Sequence, residues 1–135
     1  YDPDGLNELL NRKSGLLGIS GISPDMADLL KKKEADPSAA LAIEVFCYQA
    51  KKFIGALAAA LGGLDTLVFT AGMGENSPEI RERIVAGLGF LGLEIDDDMN
   101  KKNGPVISRG PAQIMVMNTN EELMIARGAW RVISS

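Results

Sequence analysis

The residues best suited to chemistry lie in two short polar corners. The first, Thr70-Ala71-Gly72-Met73-Gly74-Glu75-Asn76-Ser77, follows the apolar run Leu67-Val68-Phe69 and leads into Pro78-Glu79-Ile80-Arg81. Glycines let a ligand approach the backbone, and the first turn of a helix offers unpaired N–H donors, so such a junction suits a phosphate or a nucleotide. A tight strand-to-helix turn with no ligand explains the same glycines, and the G-x-G pattern alone favours that plainer explanation. The second corner, Asn118-Thr119-Asn120-Glu121-Glu122, follows Ile114-Met115-Val116-Met117. Two polar corners of this kind suggest one shared ligand. Thr119 and Glu122 also have capping-box spacing, which partly accounts for them without a ligand. Asp96-Asp97-Asp98 is a third acidic group, but Asn100, Lys101 and Lys102 follow it. A solvated loop or a helix start fits that group better than a cation site.

The elements that must position these corners can be read from spacing and punctuation. Residues 1–21 are polar and glycine-rich, and turns are expected there with one short helical segment around residues 6–11. Ser23-Pro24-Asp25 signals a helix over residues 26–34, and Asp36-Pro37-Ser38 opens the longest helix, running to about Leu61. Ala42, Phe46, Phe53, Leu57 and Ala60 mark an apolar stripe along that helix, with Lys51 and Lys52 towards the exposed side. Gly62-Gly63 ends it. Residues 67–71 are apolar without alternation, as in a strand covered on both faces. Ser77 as N-cap, Pro78 at the first position and Glu79 in the first turn start a helix over residues 78–88. A short extended piece at residues 91–95, a strand at 112–117 and a final helix at about 120–132 complete the order, with Met115 and Met117 as core residues. Strand, helix, strand, helix favours a parallel or mixed sheet with helices packed on it, an α/β arrangement.

Composition sets the outer bounds. The chain has 135 residues, 46% of them hydrophobic, enough for a packed core. A net charge of -4 argues against a nucleic-acid footprint, which would be basic. No apolar run approaches a membrane span, so no membrane partner is expected. Cys47 is the single cysteine, so no internal disulfide can form, and its apolar neighbours Val45, Phe46 and Tyr48 mark it as buried filler. There is no histidine, which leaves zinc clusters and serine–histidine chemistry without support.

The two corners also carry a resemblance. Thr70 to Ser77 followed by Arg81, and Asn118 to Leu123 with Ile125-Ala126-Arg127 after it, resemble signatures of the acetate kinase family. Lys13-Ser14-Gly15-Leu16-Leu17-Gly18-Ile19-Ser20-Gly21 is similar to a third block. The blocks stand in family order over nearly the whole chain. Members of that family are about three times longer, and these blocks lie in their C-terminal third. Together with a start at Tyr1, this makes the chain, residues 1–135, read as a C-terminal piece: a single, incomplete domain. The resemblance implies a partial ribonuclease-H-like domain of the sugar kinase and actin type, namely the later part of the second, nucleotide-holding domain. Without the earlier strands of that sheet, association with a partner, self-association or poor stability is expected.

The implied activity is phosphoryl transfer from ATP to acetate, giving ADP and acetyl phosphate, with magnesium neutralising phosphate charge. Gly72, Met73, Gly74, Glu75 and Asn76 match the block lining the nucleotide pocket, and Glu121 matches the glutamate that supports magnesium. Asp25, Met26 and Ala27 match a second nucleotide-contacting triplet that normally ends in arginine. Ala27 can neither donate a hydrogen bond nor stack on adenine. The family's carboxylate-binding arginines and catalytic histidine lie upstream, so no catalytic residue is expected in this chain, which should be inactive alone. A cytoplasmic homodimer is implied for the parent protein. Three alternatives stand beside this reading: a propionate or butyrate kinase, a non-catalytic module that kept the fold, and a dinucleotide-binding domain. The last wants a third glycine that Ser77 replaces.

Overall fold

The computed structural model describes residues 2–134, and Tyr1 and Ser135 fall outside them. The chain forms two compact units, residues 1–63 and 64–135.

The first unit is helical. Asp2 accepts a hydrogen bond from the Gly5 N–H at 2.7 Å and caps α1 (Pro3–Glu8), which continues into a π-helical stretch, Leu9–Lys13. After Ser14 comes α2 (Gly15–Ser20), so residues 3–20 are far more helical than the turns expected from their glycines. The apolar Leu6, Leu9, Leu10, Leu16 and Leu17 recur often enough to sustain helical turns between the breaks. Asp25 caps α3 (Met26–Lys32), two residues shorter than expected. Asp36 accepts from the Ser38 N–H at 2.8 Å and from the Ala39 N–H at 3.4 Å, Pro37 takes the first position, and α4 (Pro37–Leu61) follows at its expected bounds. It ends at Gly62, whose φ of 77° is the left-handed conformation that glycine adopts freely.

Helices α2 and α3 pack on α4. The buried face of α4 is Ala39, Ala42, Ile43, Cys47 and Ala58, and the expected stripe needs correction. Ala42 belongs to the core, but Phe53 is 67% and Leu57 62% exposed, and Ala60 is exposed too. The helix keeps the expected period, but its buried face is rotated away from the bulky residues. Ala39 and Ala42 have small side chains that allow close helix approach, and the bulky residues of the stripe turn away from them. Cys47 is buried, as its neighbours suggested.

The second unit holds the sheet. Strand β1 (Thr66–Thr70) pairs in parallel with β2 (Gln113–Met117), Thr66 opposite Gln113 and Thr70 opposite Met117. On its other side β2 takes an antiparallel bridge from Val106 to Met115, so the pairing is mixed. One face of the sheet carries Phe69, Ile114 and Val116, all buried; the other carries Val68 at 43% and Met117 at 51% exposure. The apolar run Leu67-Val68-Phe69 of β1 is therefore covered on one face rather than two. Between the strands run α5 (Ala71–Asn76), α6 (Pro78–Val85) and α7 (Asp97–Lys101), and α8 (Glu121–Ile133) follows β2. Ile80, Ile84, Val85, Leu88, Leu93 and Ile107 complete the core. Residues 91–95 are not a strand: Gly89–Leu91 make one 3-10 turn and Ile95 a single bridge to Ser108. Asp96 caps α7 by accepting from the Met99 N–H at 3.0 Å, the helix-start role expected of the acidic triplet.

Candidate functional site

Parallel pairing sends both strands the same way, so the two polar corners emerge side by side at the C-terminal end of the sheet. Ligands of open α/β sheets collect at that end, beyond the carboxyl ends of the strands. The corners touch: the Glu75 carboxylate accepts from the Thr119 N–H at 2.8 Å and from the Thr119 hydroxyl at 2.9 Å. Those two bonds, the backbone one above all, hold the Glu75 carboxyl below its ordinary pKa.

The first corner is not the open glycine loop that its sequence suggests. Residues 71–76 form the short helix α5, and the left-handed residue at its entrance is Ala71, with φ of 59°, rather than a glycine. A non-glycine residue in this region stores strain that the surrounding structure must hold. The two glycines do different work. A Cβ at Gly72 would meet nothing within 4 Å, which leaves that backbone open to approach. At Gly74 a Cβ would lie 3.2 Å from the Phe69 carbonyl carbon, so glycine there lets α5 sit close on β1. Met73 is partly exposed, and the Asn76 amide donates to the Gly72 carbonyl at 3.0 Å. Ser77 accepts from the Ile80 N–H at 3.4 Å and caps α6, with Pro78 and Glu79 in the expected places.

Beneath this corner lies Arg81, whose importance the sequence did not announce beyond its place in the signature. It is fully buried. All five N–H donors are used. Nε reaches Asn100 Oδ1 at 2.7 Å; one terminal nitrogen reaches the Gly74 and Glu75 carbonyls at 2.7 and 3.0 Å; the other reaches the Asn100 carbonyl at 2.8 Å and Asn103 Oδ1 at 2.6 Å. Burial pushes its pKa below the ordinary arginine value. The available signal was periodicity: Arg81 and Val85 are four apart on a helix whose buried face also holds Ile80 and Ile84.

At the second corner the capping box is replaced. Thr119 gives both its N–H and its hydroxyl to the Glu75 carboxylate, so the N–H that a box would offer to Glu122 is already taken, and Asn120 caps α8 by accepting from the Leu123 N–H at 2.8 Å. With Asn120 as cap, the third helical position is Leu123, so Glu122 has no box to close. Glu121 is the first residue of α8, and its side chain lies outside the described residues. The second nucleotide-contacting triplet, Asp25-Met26-Ala27, lies in the first unit. Asp25 accepts from the Ala27 N–H at 2.8 Å, Met26 is buried and Ala27 is exposed.

Comparison with known proteins agrees with this arrangement. The model of the acetokinase family matches residues 2–127. The acetate kinase of Heliobacterium modesticaldum is 46% identical over 132 residues, covering 95% of this chain and 33% of that protein. That of Thermoanaerobacterium thermosaccharolyticum is 50% identical over 133 residues, covering 94% and 33%. Among solved structures, Porphyromonas gingivalis acetate kinase superposes with a TM-score of 0.86 at 37% identity, over 98% of this chain and 35% of that one. A propionate kinase from Francisella tularensis superposes at 0.83 and 41%, over 93% and 33%. The chain thus spans about a third of the length of the relatives it matches, and its α/β arrangement is a partial domain of the sugar kinase and actin type, with a ribonuclease-H-like core. A match over nearly every residue, with both corners in place, means that the chain belongs to the acetokinase family.

Proposed function

We propose that the chain is the nucleotide-holding part of an acetate kinase, which moves the terminal phosphoryl group of ATP to the carboxylate of acetate and yields ADP and acetyl phosphate. The observation that carries this reading is the meeting of two family blocks at the C-terminal end of one parallel strand pair, tied by Glu75 and Thr119. In this reading Gly72 offers open backbone to the nucleotide, and Met73, Gly74, Glu75 and Asn76 complete the lining. The assignment of Asp25, Met26 and Ala27 to nucleotide contact rests on the resemblance. Asp25 already caps α3 and Met26 belongs to the core, so backbone groups and one carboxylate oxygen are what remain to them.

Glu121 would hold magnesium. Among the described residues no group of three or more histidine, cysteine or acidic side chains could form a closed metal cage. A single carboxylate suits magnesium when phosphate is bound with it, because the ion keeps several waters and shares phosphate oxygens. When bound, the ion neutralises phosphate charge; the chain's own part is to place one carboxylate and to hold the nucleotide. We assign residues 1–135 to one incomplete domain of the parent kinase, whose further elements would cover Val68 and Met117 and add strands to the edge of β1 that is unpaired among the described residues. A cytoplasmic homodimer is part of the same proposal. No helix among the described residues is long and apolar enough to cross a membrane.

Propionate as acceptor is a second reading, favoured by the likeness to the Francisella propionate kinase. Calorimetric titration of the chain with ADP and ATP, with and without magnesium, tests the proposal. ATP binding that tightens with magnesium, and that loses this gain in Glu121→Ala, is expected. Acetyl phosphate formation by the chain alone is expected to be absent. A folded chain that binds neither nucleotide would overturn the reading.

A further inference from the structure

We infer that Glu75 and Arg81 are positioning residues, which lock the second corner onto the first and thereby set where α8 begins. The inference rests on the proposed nucleotide and magnesium site, and it gives Glu75 a task other than touching ligand. Thr119 has two donors near this corner, its N–H and its hydroxyl, and both end on the same oxygen of Glu75, 44 residues away in sequence. That carboxylate is near enough to the surface to stay with water. It is spent instead on the two-residue link between β2 and the cap of α8. Asn120 caps the next turn and Glu121 is the first helical residue, so the backbone carrying Glu121 starts two residues beyond the tie.

A tie is useful only if its other end is held. Helix α5 has six residues and no side-chain cap at its start, too short to persist by itself. Its last carbonyls are the unsatisfied groups of a helix end, and the buried Arg81 takes the carbonyls of Gly74 and Glu75. The rest of the guanidinium is anchored to Asn100 and Asn103, and the Asn100 amide donates to the Pro78 carbonyl at 3.0 Å. A path of hydrogen bonds therefore runs from the buried Asn100 in α7, and from Asn103 just after that helix, through Arg81 and the Glu75 backbone, to the Glu75 carboxylate and Thr119. Glu75 is engaged at both ends, which suits a strut better than a freely moving ligand contact.

The test compares wild type, Glu75→Ala, Thr119→Val and Thr119→Ser in the full chain. Two readouts are taken: amide hydrogen exchange at Thr119 without nucleotide, and the ratio of ATP affinities with and without magnesium. Glu75→Ala should speed Thr119 exchange about three- to tenfold, in keeping with the net loss of one ordinary hydrogen bond at a solvent-exposed site. It should shrink the magnesium gain by a similar factor. Thr119→Val should do part of this, and Thr119→Ser, which keeps both donors, should restore wild-type behaviour in both readouts. Unchanged Thr119 exchange in Glu75→Ala overturns the tie. Lost protection with an intact magnesium gain overturns its positioning role. Should wild type show no magnesium gain at all, the proposed function falls, and the tie is decided by the exchange measurement.

Discussion

Replacing Arg81 by methionine keeps most of the apolar stem and removes the guanidinium. Five acceptors then lose their donor. The bonds to Asn100 Oδ1 and to the Asn100 carbonyl are fully buried, and those to Gly74, Glu75 and Asn103 are partly buried. Water can replace the partly buried bonds at small loss. The two buried acceptors each cost about 1–3 kcal/mol when left unsatisfied. Removing the charge also ends the desolvation penalty of keeping a guanidinium buried, which offsets part of the loss. We therefore expect Arg81→Met to destabilise residues 64–135 by about 3 kcal/mol, and Arg81→Lys, with three donors, by somewhat less. Urea unfolding followed by circular dichroism measures the total. Because the chain forms two compact units, residue-resolved hydrogen exchange should assign the loss to Ile84, Ile107 and Ile114 rather than to Leu29 and Ile43. A change under about 0.5 kcal/mol, the range of ordinary surface substitutions, would refute the claim that this guanidinium organises the corner.

Two further outcomes follow from the same physics. The folded-state pKa of Glu75 lies below its unfolded value, so its contribution to stability is fully present above the unfolded value and is lost as pH falls through the folded one. Thr119 amide protection should persist from neutral pH into the ordinary carboxylate range and disappear only below it, and NMR titration of Thr119→Val should show the Glu75 carboxyl moving back up. In the first unit, Asp36→Ala removes the cap from the first turn of α4 and should cost about 1 kcal/mol, read as a lower thermal midpoint with Glu75–Thr119 exchange unchanged.

Much of the chain is legible from the sequence because much of it is decided locally. Asp36, Ser77 and Asp96 cap their helices because a short polar side chain reaches N–H groups two or three residues on. Gly62 ends α4 because left-handed backbone costs glycine nothing. The two polar corners and their family likeness are local strings too, and so are β1, β2, α3, α4, α6 and α8, whereas the helices within residues 3–20 and α5 run against their glycines. What the sequence left open depends on partners far away in the chain. The phase of the α4 stripe followed from which residues α2 and α3 cover, and the half-bare face of β1 from which elements lie against it. Thr119 and Glu122 have capping-box spacing, but α8 starts one residue later, with Asn120 as its cap, and the Thr119 N–H and hydroxyl go to a carboxylate 44 residues back that only the parallel strand pairing brings within reach. Arg81 could be placed on a helix by its neighbours, yet no sequence rule says that a guanidinium will be buried among neutral oxygens. Only the tertiary structure, by bringing the Gly74 and Glu75 carbonyls, Asn100 and Asn103 around one point, supplied five acceptors to offset the loss of water.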